Sequence, residues 1–278
     1  MNTLEFTAVI WVGSLLAGFL GALTGLGGGV VIVPLLTLVF HVDLKYAIGA
    51  ALVSVIATSS GAAAAYVKEG YSNVRVGMFL EIATTIGALA GAGLALYLKA
   101  SVIAVIFGLV LIYSAYTSLR PQPHDSTDQK PDRLATWLRM DSTYPTPSGL
   151  VSYHVSGIPF GFALMFVAGV LSGLLGIGSG AVKVLAMDKA MKLPFKVSTT
   201  TSNFMIGVTA AASAGIYLSR GYIDPGLAMP VMLGVLIGSL TGARILAGAN
   251  VRILRIVFSC VIGALALEMI YSGITGKI

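Results

Sequence analysis

"GFLGALTGLGGGVVIV" (Gly18–Val33) recurs 151 residues later as "GVLSGLLGIGSGAVKV" (Gly169–Val184). Sliding the chain against itself by that spacing extends the match without a gap. "YVKEGY" (66–71) meets "YLSRGY" (217–222), and Gly91-Ala92 meets Gly242-Ala243. Residues 18–112 give 22 identities in 95 pairs. The chain is internally duplicated, and each copy opens on an apolar stretch interrupted by glycines: "GLGGG" (Gly25–Gly29) and "GIGSG" (Gly176–Gly180).

The rest of the composition says where such stretches sit. Of 278 residues, 56% are hydrophobic and only 10% charged, and the mean hydropathy is +0.92. Soluble domains carry about 25% charged residues. No Asp, Glu, Lys or Arg occurs between Glu5 and Asp43, Lys45 and Lys68, Lys99 and Arg120, Asp141 and Lys183, Lys196 and Arg220, or Asp224 and Arg244. A helix needs about 20 apolar residues to cross a bilayer, so the reading is an all-α polytopic membrane protein. Continuous apolar runs argue against a barrel, whose strands alternate. The N-terminus lacks the basic region and cleavage site of a signal peptide, so Phe6 onward is expected to be retained. Cys260 is the only cysteine, which leaves no internal disulfide or cysteine cluster. A net charge of +6 is ordinary for basic cytoplasmic loops and gives no support for nucleic-acid binding.

Eight helical segments are expected, at about 5–40, 46–67, 76–98 and 100–119, then 157–192, 197–219, 225–248 and 252–274. They form two homologous transmembrane repeats, 1–119 and 156–278. Between them an aqueous linker, 120–155, holds one short surface helix around Leu134–Met140. With four passes per half, the basic connections near Lys45, Lys99, Lys183–Lys196 and Arg244–Arg255 share a face. The positive-inside rule then places both termini and the linker outside. If the first segment makes two passes, each half has five and the repeats invert.

The first segment of each half is too long for one straight pass: 36 residues would reach about 54 Å against a hydrocarbon core of about 30 Å. Unwound backbone at membrane depth is tolerated only where protein or a water-filled cavity surrounds it. Paired breaks in matching places of two halves point to a transporter's binding site near the midplane. Close helix packing is the alternative use of such glycines. A helix restarting after a break offers free N–H groups and partial positive charge, so the expected ligand is an anion. Gly25, Gly27, Gly28 and Gly29, and Gly176, Gly178 and Gly180, would form the cradle. Thr24 and Ser179 would add hydroxyls. No GKS or GKT follows either break, which excludes a P-loop.

Polar residues add to this. "STTTSN" (Ser198–Asn203) heads an apolar helix, where one or two of the six would cap it. Thr199, Ser202 and Asn203 share a face that would line the site. Their counterparts Ile48, Ala51 and Leu52 are apolar, so the site is expected to be asymmetric. Lys183, three residues past the second break, would contact the anion or else snorkel to the surface. Glu81 and Glu268 are candidates for a coupling proton, with an interfacial, solvated position as the alternative.

The duplicated glycine breaks and "STTTSNFMIGVTAAASAGIYLSRGYIDPGLAMPVMLGVLIGSLTGAR" (Ser198–Arg244) resemble the TauE/SafE sulfite-exporter family, also called the TSUP family. The resemblance covers nearly the whole chain except the linker, which is longer than the family's connections. It implies a multi-pass cell-membrane secondary transporter, an exporter by direction, for small sulfur-containing anions such as sulfite or organosulfonates. Its partners would be the anion and the lipid bilayer, with homo-oligomers a further expectation; no cofactor, metal or nucleic acid is implied. An anion channel is the alternative function. An intramembrane enzyme finds no support: there is no HExxH, no GxSxG and no pair of catalytic carboxylates.

Overall fold

The computed structural model describes residues 3–22, 28–68, 70–119, 132–146, 149–246 and 251–278. Helix α1 (Thr3–Ala22) is followed by a six-residue helix α2 (Gly29–Pro34), which widens into a π-helical turn over Leu35–Val39. Then come α3 (Leu44–Lys68), α4 (Val74–Tyr97) and α5 (Ala100–Leu119). The linker forms α6 (Arg133–Trp137) and an antiparallel hairpin of β1 (Ser142–Thr146) and β2 (Gly149–Tyr153), pairing Ser142 with Tyr153. The second half repeats the series: α7 (Ile158–Leu175), α8 (Gly180–Leu185) with a π turn over Ala186–Ala190, α9 (Phe195–Ser219), α10 (Pro225–Leu246) and α11 (Val251–Thr275). Among the described residues, Val74–Tyr97, Ala100–Thr117 and Ile158–Leu175 are long and apolar enough to cross a bilayer. Large apolar side chains such as Leu109, Phe160 and Leu267 face outward, as lipid-facing residues do. This is an all-α membrane protein.

The expected segments after the first in each half correspond to α3, α4 and α5, and to α9, α10 and α11. The first segments differ from a single interrupted helix, because each folds back on itself. Phe40, just past the first π turn, meets Phe6 edge-on with ring centroids 6.2 Å apart. A Cβ on Gly13 would stand 3.3 Å from Leu35. In the second half the Ser156 N–H donates to the Met191 carbonyl (3.2 Å), and Gly161 lies against the Met191 side chain. The physical reason is backbone handedness. Gly176 and Gly178 both have φ +70° and Ser179 has φ +49°, a region that ends a right-handed helix and turns the chain. Each returning arm of 11 residues reaches about 16 Å, roughly half a bilayer.

Local structure recurs at the 151-residue spacing. His41 and Lys192 both have positive φ, as do Gly70 and Gly221. The i→i+5 bond closing the first π turn, Phe40 N–H to the Leu35 carbonyl (3.4 Å), matches Met191 N–H to the Ala186 carbonyl (3.1 Å). Helix packing recurs in the same way. α1 packs on α10 and α7 on α4, while α3 packs on α9 and α5 on α11. Gly18 abuts Val235 as Gly169 abuts Thr84, and Gly238 abuts Leu15 as Gly87 abuts Phe166. These seams let backbones touch, the usual role of small residues between apolar helices.

The contacts also sort the helix ends. The start of α3 meets the residues after α9 through Tyr46 and Tyr222, rings 5.5 Å apart. The Lys45 ammonium donates to the Leu96 carbonyl near the end of α4 (3.2 Å). Ser101, at the start of α5, donates to the carbonyl of Ile278 (3.2 Å). At the opposite end, the Asn73 N–H between α3 and α4 donates to Thr201 near the start of α9 (3.0 Å). Asn73 also caps α4, its side-chain oxygen accepting from the Val76 N–H (3.1 Å). Its amide donates to the Met140 carbonyl and the Tyr153 hydroxyl, each at 2.8 Å. The linker is thereby docked over the α3–α4 connection. Its short helix falls where the sequence placed one; the β-hairpin beside it was not anticipated.

Candidate functional site

The two hairpin tips touch in the interior. A Cβ on Gly29 would stand 3.0 Å from the Gly176 carbonyl oxygen and 3.3 Å from the Ile177 Cα. Gly176 lies against Ile48, and Gly178 and Gly180 against Ile206. Gly28 is buried beside Val235. Thr24, Gly25 and Gly27 lie outside the described residues. The glycines that are described allow a close approach, and at the second tip they also supply the left-handed backbone. Each restarting helix is only six residues of α form before its π turn, too short for much macrodipole. A full charge nearby therefore matters more than the helix ends.

Lys183 supplies that charge. It sits one turn into α8, on the returning arm, where helical side chains lean toward the N-terminus and so toward the tip. It is fully buried, with 0% exposure; it does not snorkel. Its ammonium donates a short hydrogen bond to the Thr209 hydroxyl on α9. Thr209 in turn donates to Glu81 Oε1 on α4 (2.7 Å), with the Met205 carbonyl as its other acceptor (2.9 Å). Thr85 also donates to Glu81 Oε1 (3.2 Å). Glu81 is buried rather than solvated at an interface, and its Oε2 is enclosed without a hydrogen-bond partner. The hydroxyls of Ser179 and Ser172, in and just before the second break, are likewise buried and unpartnered. Three helices from both halves thus enclose one cation, one carboxylate and unsatisfied polar atoms. Buried charges are expected to be paired; here the pairing runs through a single hydroxyl.

The polar run at the head of α9 divides into two kinds. Ser202 is buried and donates to the Gly180 carbonyl where α8 restarts (3.4 Å). Asn203 is half-buried on the same turn. The others tie down backbone. Ser198 donates to the Leu193 carbonyl (3.4 Å) and Thr199 to that of Phe195 (2.8 Å). Thr200 donates to the Tyr71 carbonyl (3.0 Å), and Thr201 accepts from Asn73. None of the six caps the helix. α9 starts at Phe195, so the N-cap position falls on Pro194, without a side-chain cap bond. Glu268 is exposed on α11 and accepts from Ser272 (3.5 Å); it is not part of the buried cluster. Thr209 and Thr85 were not singled out as site residues. Thr85 could have been found as the residue one helical turn after Glu81 on α4, whereas the pairing of Thr209 with Glu81 is invisible until α4 and α9 are placed side by side.

Comparison with known proteins shows the family. The family model described as "Sulfite exporter TauE/SafE" matches residues 10–269. "Probable membrane transporter protein YunE" of Bacillus subtilis (strain 168) is 28% identical over 278 residues, covering 98% of this chain and 99% of that protein. "Probable membrane transporter protein YdhB" of the same strain is 26% identical over 237 residues, covering 85% and 87%. A "Probable membrane transporter protein" of Xylella fastidiosa (strain 9a5c) is 24% identical over 259 residues, 92% of each chain. No solved structure matches the chain. The relatives are described as membrane transporters, not enzymes, and the chain belongs to the TauE/SafE sulfite exporter family.

Proposed function

We propose that the protein is a multi-pass secondary transporter of the cell membrane that moves small sulfur-containing anions, sulfite or an organosulfonate, outward, and binds them where the two hairpin tips meet. The observation that carries this is Lys183, a fully buried ammonium beside touching tips contributed by both halves. Ser179 in the second break and Ser202, which reaches the Gly180 carbonyl, supply further polar atoms, and Asn203 follows on the same turn as Ser202. A compact oxyanion fits a fixed positive charge hydrogen-bonded to a hydroxyl better than a cation or an apolar solute does.

The halves are read as repeats of inverted topology. Each hairpin makes the first segment return to the end where it began, so each half passes an odd number of times and the second half starts on the opposite face. Among the described residues, the face of the α3–α4 connection and the linker then carries Lys68, Arg75, Arg133, Arg139, Lys189, Lys192, Lys196, Arg244, Arg252 and Arg255. The other carries Lys45, Lys99, Arg220 and Lys277. Ten against four supports a cytoplasmic linker with both termini outside.

Counterflow of ³⁵S-sulfite in proteoliposomes tests the reading. With excess unlabelled anion inside, a carrier transiently accumulates label above its equilibrium level; a channel only equilibrates it. Lys183→Met is expected to lower exchange at least tenfold, while Lys189→Met, in an exposed pair with Asp188, leaves it within about twofold. Parental exchange in Lys183→Met would refute the site.

A further inference from the structure

Glu81 has no task in a site built only to hold an anion. Beside Lys183 it neutralises the charge the anion needs, and its Oε2 lies buried without a donor. A substrate anion at Lys183 would bring a second negative charge next to this carboxylate, away from water. The bridging hydroxyl offers a way out. Thr209 has one proton and two acceptors, Glu81 Oε1 at 2.7 Å and the Met205 carbonyl at 2.9 Å. If Glu81 takes a proton, Thr209 can turn to Met205 without losing a hydrogen bond, and Lys183 is released to a new partner.

We propose that anion binding at Lys183 and protonation of Glu81 are coupled, so that one proton travels with each anion. A proton from water on the open side adds to Glu81 Oε2, the anion takes the place of the carboxylate as the counter-charge of Lys183, and both leave together on the other side. Lys183 stays protonated throughout. This rests on the anion-transport reading above. The net direction then follows the product of the anion and proton gradients, outward when the anion accumulates inside beyond the opposing pH difference.

The surroundings leave Lys183 as the charged group facing Glu81 among the described residues. α7 carries no titratable side chain. On α9, the Lys196 ammonium lies over the Tyr71 ring, 3.8 Å from its centroid, and the Tyr217 hydroxyl donates to the Gly173 carbonyl (3.2 Å). In the π turn after α8, Asp188 pairs with Lys189 at 3.3 Å. On α4 itself, Arg75 is exposed and donates to the Arg139 carbonyl (3.0 Å).

The test uses the full chain in proteoliposomes with ³⁵S-sulfite as probe, comparing the parent with Glu81→Gln. Sulfite's own titration is common to both, so a difference between them belongs to Glu81. Counterflow at equal pH is expected to survive in Glu81→Gln within about threefold, because glutamine imitates the protonated carboxyl. Accumulation driven by a pH difference of about one unit should fall roughly tenfold below the parent, the worth of one coupled proton. Glu81→Asp should restore part of it. Equal accumulation in parent and Glu81→Gln overturns the coupling and leaves transport standing. Absence of counterflow in the parent overturns the transport reading and the coupling with it. Should Glu81→Gln fail to fold, titration calorimetry of the parent with sulfite in two buffers of different ionisation heat decides. About one proton taken up beyond sulfite's own supports the coupling, and none refutes it.

Discussion

The glycine seams give a test with opposite signs for one chemistry. Gly18 on α1 and Gly169 on α7 occupy equivalent places, each in a seam with a helix of the other half. A Cβ on Gly18 would stand 2.6 Å from the Val235 Cα, and one on Gly169 2.8 Å from the Thr84 Cα. Ordinary contact begins at 3.4 Å, and the carbonyl oxygens of Val235 and Thr84 lie nearer still than these Cα atoms, so Gly18→Ala or Gly169→Ala must part its helix pair by about 1 Å against backbone that cannot rotate away. Overpacking of this kind costs about 1–3 kcal/mol, offset by up to about 1 kcal/mol from the better helix propensity of alanine. With the full offset the net is a loss of about 0–2 kcal/mol, or up to roughly 8 °C in Tm. Gly93, Gly215 and Gly263, also helical, would meet nothing within 4 Å. Their alanine variants gain the propensity term alone and should melt about 2–4 °C higher. Melting in detergent, followed by size-exclusion recovery after heating, reads all five. If Gly18→Ala and Gly169→Ala melt with the open-space variants, or only one of them falls, the equivalence of the two seams is refuted.

Two further outcomes follow from the linker and the orientation. In a Cys260→Ser background, Arg220→Cys and Lys277→Cys should react with a membrane-impermeant maleimide on intact cells, and Arg133→Cys and Lys192→Cys only after permeabilisation; the reverse pattern would invert the assignment. Burial raises the Tyr153 hydroxyl above the ordinary tyrosine value of 10.0, against the lowering effect of its Asn73 and Ser142 hydrogen bonds. Its stabilisation of the docked linker is thus fully present below about pH 10 and is lost as pH rises through the folded value. Tyr153→Phe should remove that dependence and loosen the linker by about 1 kcal/mol, read by limited proteolysis across pH 8–11; an unchanged alkaline profile would count against it.

Most of the helical architecture was legible because bilayer spans announce themselves by length and by charge-free runs, and duplication by register. The returning arms were not. A glycine cluster permits both an unwound stretch in a continuing helix and a reversal, and only the positive φ at Gly176, Gly178 and Ser179 with the Phe6–Phe40 contact separates the two. Whether the first segment returns to the side where it began also decides the linker's face, since the face on which lysines accumulate depends on the parity of crossings. The polar run carries a similar ambiguity: Thr199, Ser202 and Asn203 share a face that reads as a lining, while hydrogen bonds between helices are the alternative use, and Thr200, Thr201 and Ser202 bond the backbone of neighbouring segments. Glu81 and Lys183 were both visible as intramembrane charges, but their bridge joins residues 128 positions apart, beyond any local pattern.

The other half shows why the two charges belong together. At the 151-residue spacing, Lys183 corresponds to Ile32, Thr209 to Thr58 and Glu81 to Met232. Ile32 is fully buried, so the equivalent place lies inside the protein as well. The threonine is retained there, and its hydroxyl bonds the Ser54 carbonyl (3.0 Å) just as Thr209 bonds that of Met205; this back-bond needs no charge. Both ionisable residues are replaced by apolar ones at once. Keeping either alone would strand a buried charge at about 3–5 kcal/mol, whereas two packed apolar side chains of similar size are close to neutral against the pair. Stability alone therefore permits the apolar solution at this site, and the chain adopts it where the second half carries Met232 and the first carries Ile32. That it does not adopt it at Lys183 and Glu81 argues that this pair is kept for what its charges do.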